Sequence, residues 1–201
     1  MPVVVADAGP LIHLAQIGRL FLVQRLFGQV TITASVKREA VDDGIRLGYA
    51  DAEVICGALR DGWVVVESVL GRLAKTAEKL AEGENVSVAD AETLLLAKEK
   101  KAELLVDEKI VSDLAKMYGL RVWGTWTLLL ESLSRELIKV ADVENAVNEF
   151  SKKKFRLNAK QAKEILDAAE FIEKRKARVK SKRKKWGKSA FLDAGETTFG
   201  E

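Results

Sequence analysis

The chain has 201 residues, of which 48% are hydrophobic and 31% are charged. This length allows one compact domain with an appendage, or at most two small domains. Cys56 is the only cysteine and His13 the only histidine, so a disulfide framework, a Cys/His zinc site and a Cys-His nucleophilic pair are all poorly supplied. Any chemistry must therefore come from carboxylates.

The positive charge is concentrated near the C-terminus. Residues 174–188 contain 10 of the 33 Lys and Arg residues and no acid, which leaves 23 basic residues against 30 acidic ones elsewhere. The N-terminus has neither a basic leader nor a long apolar run, and no stretch approaches the roughly 20 apolar residues of a membrane helix. We therefore expect a cytoplasmic protein without a membrane segment and with a basic tail.

The first half of the chain alternates predicted strands and helices. Short β-branched runs predict strands at residues 3–6, 30–33 and 63–68. Helical apolar spacing predicts helices at residues 11–27, 35–43 and 50–61. The first strand ends at Asp7, and Gly9-Pro10 indicates a turn before the first helix.

The second half continues the alternation and then becomes helical. Helices are predicted at residues 70–81, 87–101 and 108–119, with strands at 103–107 and 120–124. After Thr125 only helical patterns occur, at residues 126–137, 142–154 and 159–180. The alternation favours an α/β fold with a central parallel sheet covered on both faces. We expect a main domain over residues 1–135, a helical extension over 136–175 and a basic, flexible tail over 176–201.

Four acids lie where such a fold would bring them together. Asp7 follows the first predicted strand and Asp107 ends the fourth, and the carboxyl ends of parallel strands share the edge at which these folds bind ligands. Asp90 lies in the first turn of the helix before the fourth strand. Glu39 lies early in the helix after the second strand, so both can reach the same edge.

Each acid also has an ordinary structural explanation. Asp7 and Asp107 precede helices and could be N-caps, Ser87 and Asp90 have the spacing of a capping box, and Glu39 could be a surface residue. These separate explanations do not account for the placement of four acids at the same end of successive strand–helix units. Four carboxylates at one edge favour a hard divalent cation, Mg²⁺ or Mn²⁺.

Three segments carry a further pattern: VVVADAGPLIHLAQIGRL, SVKREAV and SVADAETLLLAKEKKAELLVDEKIVSDLAKMYGLRVWGT. Together they resemble the PIN domain superfamily, particularly the VapC-type toxin ribonucleases and a related compact prokaryotic branch. The resemblance implies a PIN-like α/β/α sandwich with a C-terminal helical extension. It also implies metal-dependent hydrolysis of RNA phosphodiester bonds, with Asp7, Glu39, Asp90 and Asp107 as catalytic and metal-binding residues.

The resemblance leaves the third acid open. Relatives often carry Gly-Glu directly before the Ala-rich helix, whereas NVSVA separates Gly83-Glu84 from Asp90 here. Glu84 or Glu92 could therefore share or replace the role of Asp90. Glu108 is a further candidate ligand, and Thr125 a candidate for positioning a water molecule or a phosphate.

The basic tail is a candidate RNA-binding segment, because clustered cations neutralise phosphates with little regard to sequence. The candidate residues are Lys174, Arg175, Lys176, Arg178, Lys180, Lys182, Arg183, Lys184 and Lys185. A frayed, solvated helix explains the same charge equally well.

Helical spacing from neighbouring apolar residues predicts that His13 is a packing or surface residue of the first helix.

Three functions stay open. The first is a ribonuclease, either a toxin held by an antitoxin protein or an RNA-processing enzyme, expected as a homodimer from the resemblance. The second is a non-catalytic RNA- or ribosome-binding module, and the third a helical interaction protein that docks a partner through residues 128–172.

Overall fold

The structure is a computed structural model that describes residues 2–152 and 157–192, with only the backbone described for 182–192. Five strands form one sheet: β1 (Val4–Ala6), β2 (Val30–Thr33), β3 (Val64–Glu67), β4 (Glu103–Leu105) and β5 (Val122–Trp123). Eleven α-helices lie in the described residues: α1 (Ala8–Gln16), α2 (Phe21–Phe27), α3 (Ala34–Lys37), α4 (Gly44–Arg46), α5 (Ala50–Arg60), α6 (Gly71–Glu84), α7 (Val88–Lys100), α8 (Lys109–Met117), α9 (Thr125–Ser134), α10 (Val140–Lys152) and α11 (Ala159–Leu192).

The sheet is entirely parallel and has the strand order β3-β2-β1-β4-β5. The chain moves from β1 to β2 and β3 on one side, then crosses to β4 and β5 on the other. Because parallel crossovers are right-handed, the helices before β3 and those after it cover opposite faces. The predicted α/β/α sandwich with a central parallel sheet is therefore confirmed.

The core lies between the sheet and the helices of each face. Val5 and Leu104 of the two central strands are fully buried, and they pack with Leu94 and Leu96 of α7 and Val111 of α8. The strands read as continuous apolar runs because both faces of the sheet are covered. This packing fixes where β1 and β4 end, and hence where the residues after them lie.

The single helix predicted over residues 11–27 is wrong, because the structure has two helices there. Gly18 adopts a left-handed conformation with φ of 66°, and the N–H of Arg19 donates to the carbonyl of Leu14 at 2.7 Å. This is a glycine-terminated helix end. The helix predicted over 35–43 is also interrupted, since residues Arg38–Asp43 form a π-helical segment between α3 and α4.

The chain divides into two compact units, Met1–Leu129 and Leu130–Glu201. The first contains the sheet, and the second contains the end of α9 with α10 and α11. Phe150 of α10 and Ala169 of α11 are fully buried. The backbone of α11 is helical through Leu192, well into the predicted tail, whereas residues 193–201 lie outside the described part. The predicted domain boundaries at 135 and 175 stay predictions.

Among the described residues, the structure has no helix both long enough and apolar enough to cross a membrane.

Candidate active site

The candidate site lies where the neighbouring strands β1 and β4 end. β1 connects outward to β2 and β4 connects outward to β5, so the direction of the chain reverses between β1 and β4. In open α/β sheets, ligands bind at this switch point, outside the carboxyl ends of the strands. Asp7 follows β1 directly, and its N–H donates to the carbonyl of Leu105, the last residue of β4, at 2.9 Å. Asp107 lies two residues further along.

Asp7 is a buried carboxylate at the start of α1. It is 9% exposed, and it accepts a hydrogen bond from the N–H of Gly9 at 3.4 Å as the N-cap of the helix. Burial and then the charge of Asp90 raise the pKa of Asp7 to about 7, although the backbone N–H groups of Ala8 and Gly9 oppose the rise. Asp7 is the predicted N-cap of α1, but the hydrogen bonds of the cap do not compensate for the desolvation of its carboxylate. An ionised Asp7 therefore needs a further positive partner.

Asp90 is the acid whose charge acts most strongly on Asp7. It also closes the predicted capping box of α7: the N–H and Oγ of Ser87 donate to Asp90 Oδ2 at 3.2 and 2.7 Å, and the N–H of Asp90 donates to Ser87 Oγ at 3.0 Å. The capping box fixes the first turn of α7 at the sheet edge. Asp90 therefore caps α7 and also raises the pKa of Asp7. The sequence had left a capping role and a role in the site as alternatives.

Glu39 belongs to the same electrostatic group. It lies in the first turn of the π-helical segment after α3, and such segments are frequent at functional sites. The pKa of Glu39 is raised by desolvation of its carboxyl group and then by the charges of Asp90 and Asp43. The charge of Glu39 in turn contributes to the raised pKa of Asp7. The charge of Asp90 therefore raises the pKa of both Asp7 and Glu39.

Asp107, like Asp7, lies close to Gly9. A Cβ placed on Gly9 would be 3.6 Å from Asp7 Oδ2 and 3.8 Å from Asp107 Oδ2, so both carboxylates lie beside Gly9. Three donors hold Asp107: His13 Nδ1 at 2.7 Å and Thr125 Oγ1 at 2.6 Å bind Oδ2, and Thr125 N binds Oδ1 at 2.7 Å. Asp107 is thus the most firmly oriented of the four acids.

Glu84, Glu92 and Glu108, the other candidate acids, are not among the charges that raise the pKa of Asp7. Glu84 ends α6 and is exposed, Glu108 is exposed just before α8, and Glu92 is half-buried on α7. The charges that raise the pKa of Asp7 come from Asp90 and Glu39. Of Glu84, Asp90 and Glu92, Asp90 is the one whose charge raises the pKa of Asp7, and the choice of the third acidic ligand stays a prediction.

The partners of Asp107 were not predicted from the sequence. His13 was expected to pack or to face solvent, and Thr125 to position a water molecule or a phosphate, yet both bind Asp107. One signal for His13 was available: it lies four residues after Gly9 on α1, and residues at this spacing share a helix face. Its partner lies 94 residues away in the chain, which local spacing cannot reveal.

The donor set fits a hard divalent cation. Carboxylate oxygens are the ligands that Mg²⁺ and Mn²⁺ prefer, and a cation would offset the desolvation and the repulsion that raise the pKa of Asp7. The oxygens are not gathered, however: no group of three or more His, Cys, Asp or Glu residues in the described part of the chain is arranged to hold a metal ion. Asp90 and Asp107 instead direct oxygens to Ser87, His13 and Thr125.

The basic side chains of α11 are largely engaged within the second unit. Lys174 pairs with Glu170 at 2.7 Å, and Lys180 pairs with Glu136 at 2.6 Å. Lys176 donates to the carbonyl of Leu133 at 2.7 Å. Four of the predicted RNA-binding side chains, those of Lys182, Arg183, Lys184 and Lys185, lie outside the described side chains.

Comparison with known proteins identifies the family. A family model, DUF3368, described as a PIN domain, matches residues 3–171. This match spans most of the chain, which therefore belongs to this PIN-domain family. The resemblance inferred from the sequence is confirmed, and with it a fold of the nuclease type.

Two solved structures are similar to this chain. One is a PilT N-terminus domain protein, SSO1118, from the hyperthermophilic archaeon Sulfolobus solfataricus P2, with 24% identity and a TM-score of 0.46 over 65% of this chain and 93% of that one. The other is PAE2754 from Pyrobaculum aerophilum, with 20% identity and a TM-score of 0.47 over 65% of this chain and 88% of that one. No curated protein matches this chain significantly.

Proposed function

We propose that this protein is a metal-dependent endoribonuclease that hydrolyses RNA phosphodiester bonds with Mg²⁺ or Mn²⁺. The observation that carries the proposal is the buried Asp7 at the sheet's switch point, with a pKa raised to about 7 beside Asp90 and Glu39. Strongly perturbed carboxylates in a cleft are characteristic of functional sites. Membership of the PIN-domain family gives the reaction class.

Each acid has a distinct part in this proposal. Asp7 and Asp107 both lie beside Gly9 and would bind the cation directly, while Asp90 would bind it directly or through water. Glu39, which is more exposed, would be a further ligand or would orient the attacking water. The bound cation would lower the pKa of that water and neutralise charge on the phosphate. Thr125 and His13 hold Asp107 in place.

RNA as the substrate is supported by charge. The acidic sheet edge repels phosphate without a cation, whereas the basic residues near the C-terminus attract it. Phosphate contacts of this kind supply salt-dependent affinity with little sequence preference. Arg175 and Arg178, together with residues 182–185, would be the main contributors, because the described lysines at 174 and 180 already pair with glutamates.

The direct test uses circular RNA incubated with the purified protein and Mn²⁺ or Mg²⁺. An endonuclease opens the circle, whereas an exonuclease needs an end. We expect cleavage with either cation, none with EDTA, and recovery when the cation is restored. Cleavage that persists in EDTA, or a circle that stays closed under all conditions, would refute the proposal.

The alternative is a non-catalytic RNA- or ribosome-binding module on the PIN fold. It is favoured by the absence, among the described residues, of three side chains that already converge on a metal position. RNA binding that depends on salt but is never followed by cleavage, at any concentration of Mn²⁺, would establish this alternative.

We also propose a homodimer and, if the protein is a toxin, an antitoxin protein that covers the site. Apolar side chains are exposed around α4 and α5, at Ile45, Leu47, Tyr49 and Val54. Such a patch is typical of a contact surface. Sedimentation velocity of wild type and of Leu47→Lys tests the homodimer, since the variant should be monomeric. Co-expression with a small adjacent reading frame tests the antitoxin.

A third proposal is that residues 128–172 dock a partner protein. Phe171 of α11 is 66% exposed and Leu137 is 37% exposed, which leaves apolar surface on this part of the chain. Phe171→Ser should weaken capture of such a partner while leaving RNA cleavage unchanged.

A further inference from the structure

A cavity of about 450 Å³ lies in the second unit, between the end of α9 and α11. This volume is within the range of ligand-binding clefts. Its lining has four cationic side chains and one acidic one, together with apolar side chains of α11. We call this cavity the basic pocket, and its lining includes Arg135, Glu136, Phe171, Arg175, Val179 and Lys180.

Two lysines of the basic pocket are held by internal contacts, whereas Arg175 is not. Lys180 pairs with Glu136 at 2.6 Å, and Lys176 donates to the carbonyl of Leu133 at 2.7 Å. Arg175 is exposed, and it has no ion-pair partner among the described residues. Its charge is therefore available to a carboxylate of another molecule.

Arg175 lies between two exposed apolar side chains on the same face of α11. Phe171 is 66% exposed and Val179 is 45% exposed, and each lies four residues from Arg175, a spacing that places side chains on one helix face. Aromatic residues and arginine are enriched in protein–protein interfaces. The basic pocket therefore has the chemistry of a protein-binding surface, with an apolar face and an unpaired guanidinium group at its centre.

The first unit carries an exposed surface of the opposite charge around α4 and α5. Residues 42–54 contain four acids and one basic residue, and this basic residue, Arg46, pairs with Asp43 at 2.8 Å. Asp51 and Glu53, in the first turn of α5, have no ion-pair partner in the part of the chain that the structure describes. We call this surface the acidic patch, and with these two acids it comprises the exposed apolar side chains of Ile45, Leu47, Tyr49 and Val54.

We propose that the acidic patch of one copy of this chain docks into the basic pocket of a second copy. This inference rests on the homodimer proposed above, and it identifies the two surfaces that meet. A contact between two acidic patches would bring the unpaired carboxylates of both copies together, and a contact between two basic pockets would oppose two Arg175 side chains. Like charges across an interface cost binding free energy, whereas docking of the patch into the pocket brings Arg175 to Asp51 and Glu53.

The test asks whether the contact joins two different surfaces, by altering one surface in each of two variants. Leu47→Lys alters the acidic patch, and Phe171→Ser alters the basic pocket. Met117→Ser is the matched control, because Met117 of α8 is 82% exposed and lies outside both surfaces. Self-association is measured by sedimentation velocity, and thermal unfolding shows whether each variant is folded.

The decisive sample is a mixture of the two variants. Leu47→Lys, labelled with a fluorophore at its N-terminus, keeps its pocket, and an excess of unlabelled Phe171→Ser keeps its patch, so one intact contact can form between them. We expect each variant alone to self-associate roughly 30-fold more weakly than wild type, as expected for loss of an interface hot spot. Met117→Ser should associate as wild type does, and the mixture should associate more tightly than either variant alone.

Reversal of charge gives a second and independent measurement. Arg175→Glu should weaken self-association, because it places an acid against Asp51 and Glu53. Adding Asp51→Arg and Glu53→Arg to the same chain should restore the association, since the two surfaces are then complementary again with exchanged signs.

Three results would overturn the inference while leaving the proposed nuclease activity intact. If Leu47→Lys is monomeric but Phe171→Ser associates as wild type does, the contact joins two patches, and only the homodimer proposal survives. If the mixture associates no better than the separate variants, the two surfaces do not bind each other. If Arg175→Glu lowers RNA affinity and leaves self-association unchanged, the pocket binds RNA instead. A wild-type protein that is monomeric at all concentrations would overturn both this inference and the homodimer.

Discussion

Replacing Asp7 by Asn should stabilise the metal-free protein above neutral pH. The pKa of Asp7 is raised from 3.8 to about 7 by burial and by Asp90, so the folded state keeps a proton that the unfolded state releases between these values. A carboxyl group with a raised folded pKa opposes folding once it ionises, and this opposition is complete above about pH 7. Asn has nearly the same volume, no charge, and an oxygen that can still accept from Gly9.

The size of the stabilisation by Asp7→Asn follows from the difference between the pKa values of Asp7 in the folded and unfolded states. At roughly 1.4 kcal/mol per pKa unit, ionised Asp7 costs ~4 kcal/mol of folding free energy at pH 8. The gain from Asn should be on the order of 2–4 kcal/mol, because its buried amide hydrogens also need partners. At pH 5 folded Asp7 is mostly protonated, and the cost falls to roughly 1–2 kcal/mol.

The assay is urea unfolding in EDTA at pH 5 and pH 8, with Asp61→Asn as the matched control. Asp61 is an exposed acid that ends α5 before β3 begins, at the opposite edge of the sheet. We expect a stabilisation by Asp7→Asn that grows with pH, and little change from Asp61→Asn. A stabilisation that does not change with pH, or a destabilisation at pH 8, would refute the reasoning.

Three further predictions follow from the same geometry. Mn²⁺ should raise the melting temperature of wild type at pH 7.5 but not that of Asp7→Asn, because a cation present at 100 times its Kd stabilises the folded state by ~2.7 kcal/mol. Equal increases in the melting temperatures of the two proteins would contradict a cation site at Asp7. Ser87→Ala should cost ~1 kcal/mol in urea unfolding, because it removes the capping box that Ser87 shares with Asp90, and an unchanged midpoint would argue against it. Replacing Lys182, Arg183, Lys184 and Lys185 by Gln should lower RNA affinity and flatten its salt dependence in filter binding, whereas an unchanged salt slope would exclude these residues from the interface.

The sequence predicted the alternation of strands and helices well, because apolar periodicity reports burial directly. Strand order and the switch point do not follow from that alternation, because the right-handed crossover rule fixes the face that each helix covers and not the side on which the next strand is added. The break at Gly18 was missed because the apolar pattern of the first two helices continues through it. The π-helical segment that carries Glu39 has no recognised signature in the sequence.

The site was predictable in part, and for a physical reason. Acids that follow parallel strands share an edge whatever the details of packing, so Asp7 and Asp107 could be identified from spacing alone. The choice among Glu84, Asp90 and Glu92 depends on how α6 and α7 pack against the sheet, which no local pattern in the sequence gives. The contact of His13 with Asp107 depends on packing between distant segments, and no local pattern predicts it.

The central claim is that Asp7 belongs to a cation-dependent site that cuts RNA. The most direct test is cleavage of circular RNA in Mn²⁺ by wild type, Asp7→Asn and Asp61→Asn at equal folded concentration. We predict that wild type and Asp61→Asn open the circle at similar rates and that Asp7→Asn leaves it intact, even though the variant is the more stable protein at pH 8. Cleavage by Asp7→Asn at the wild-type rate would contradict the account.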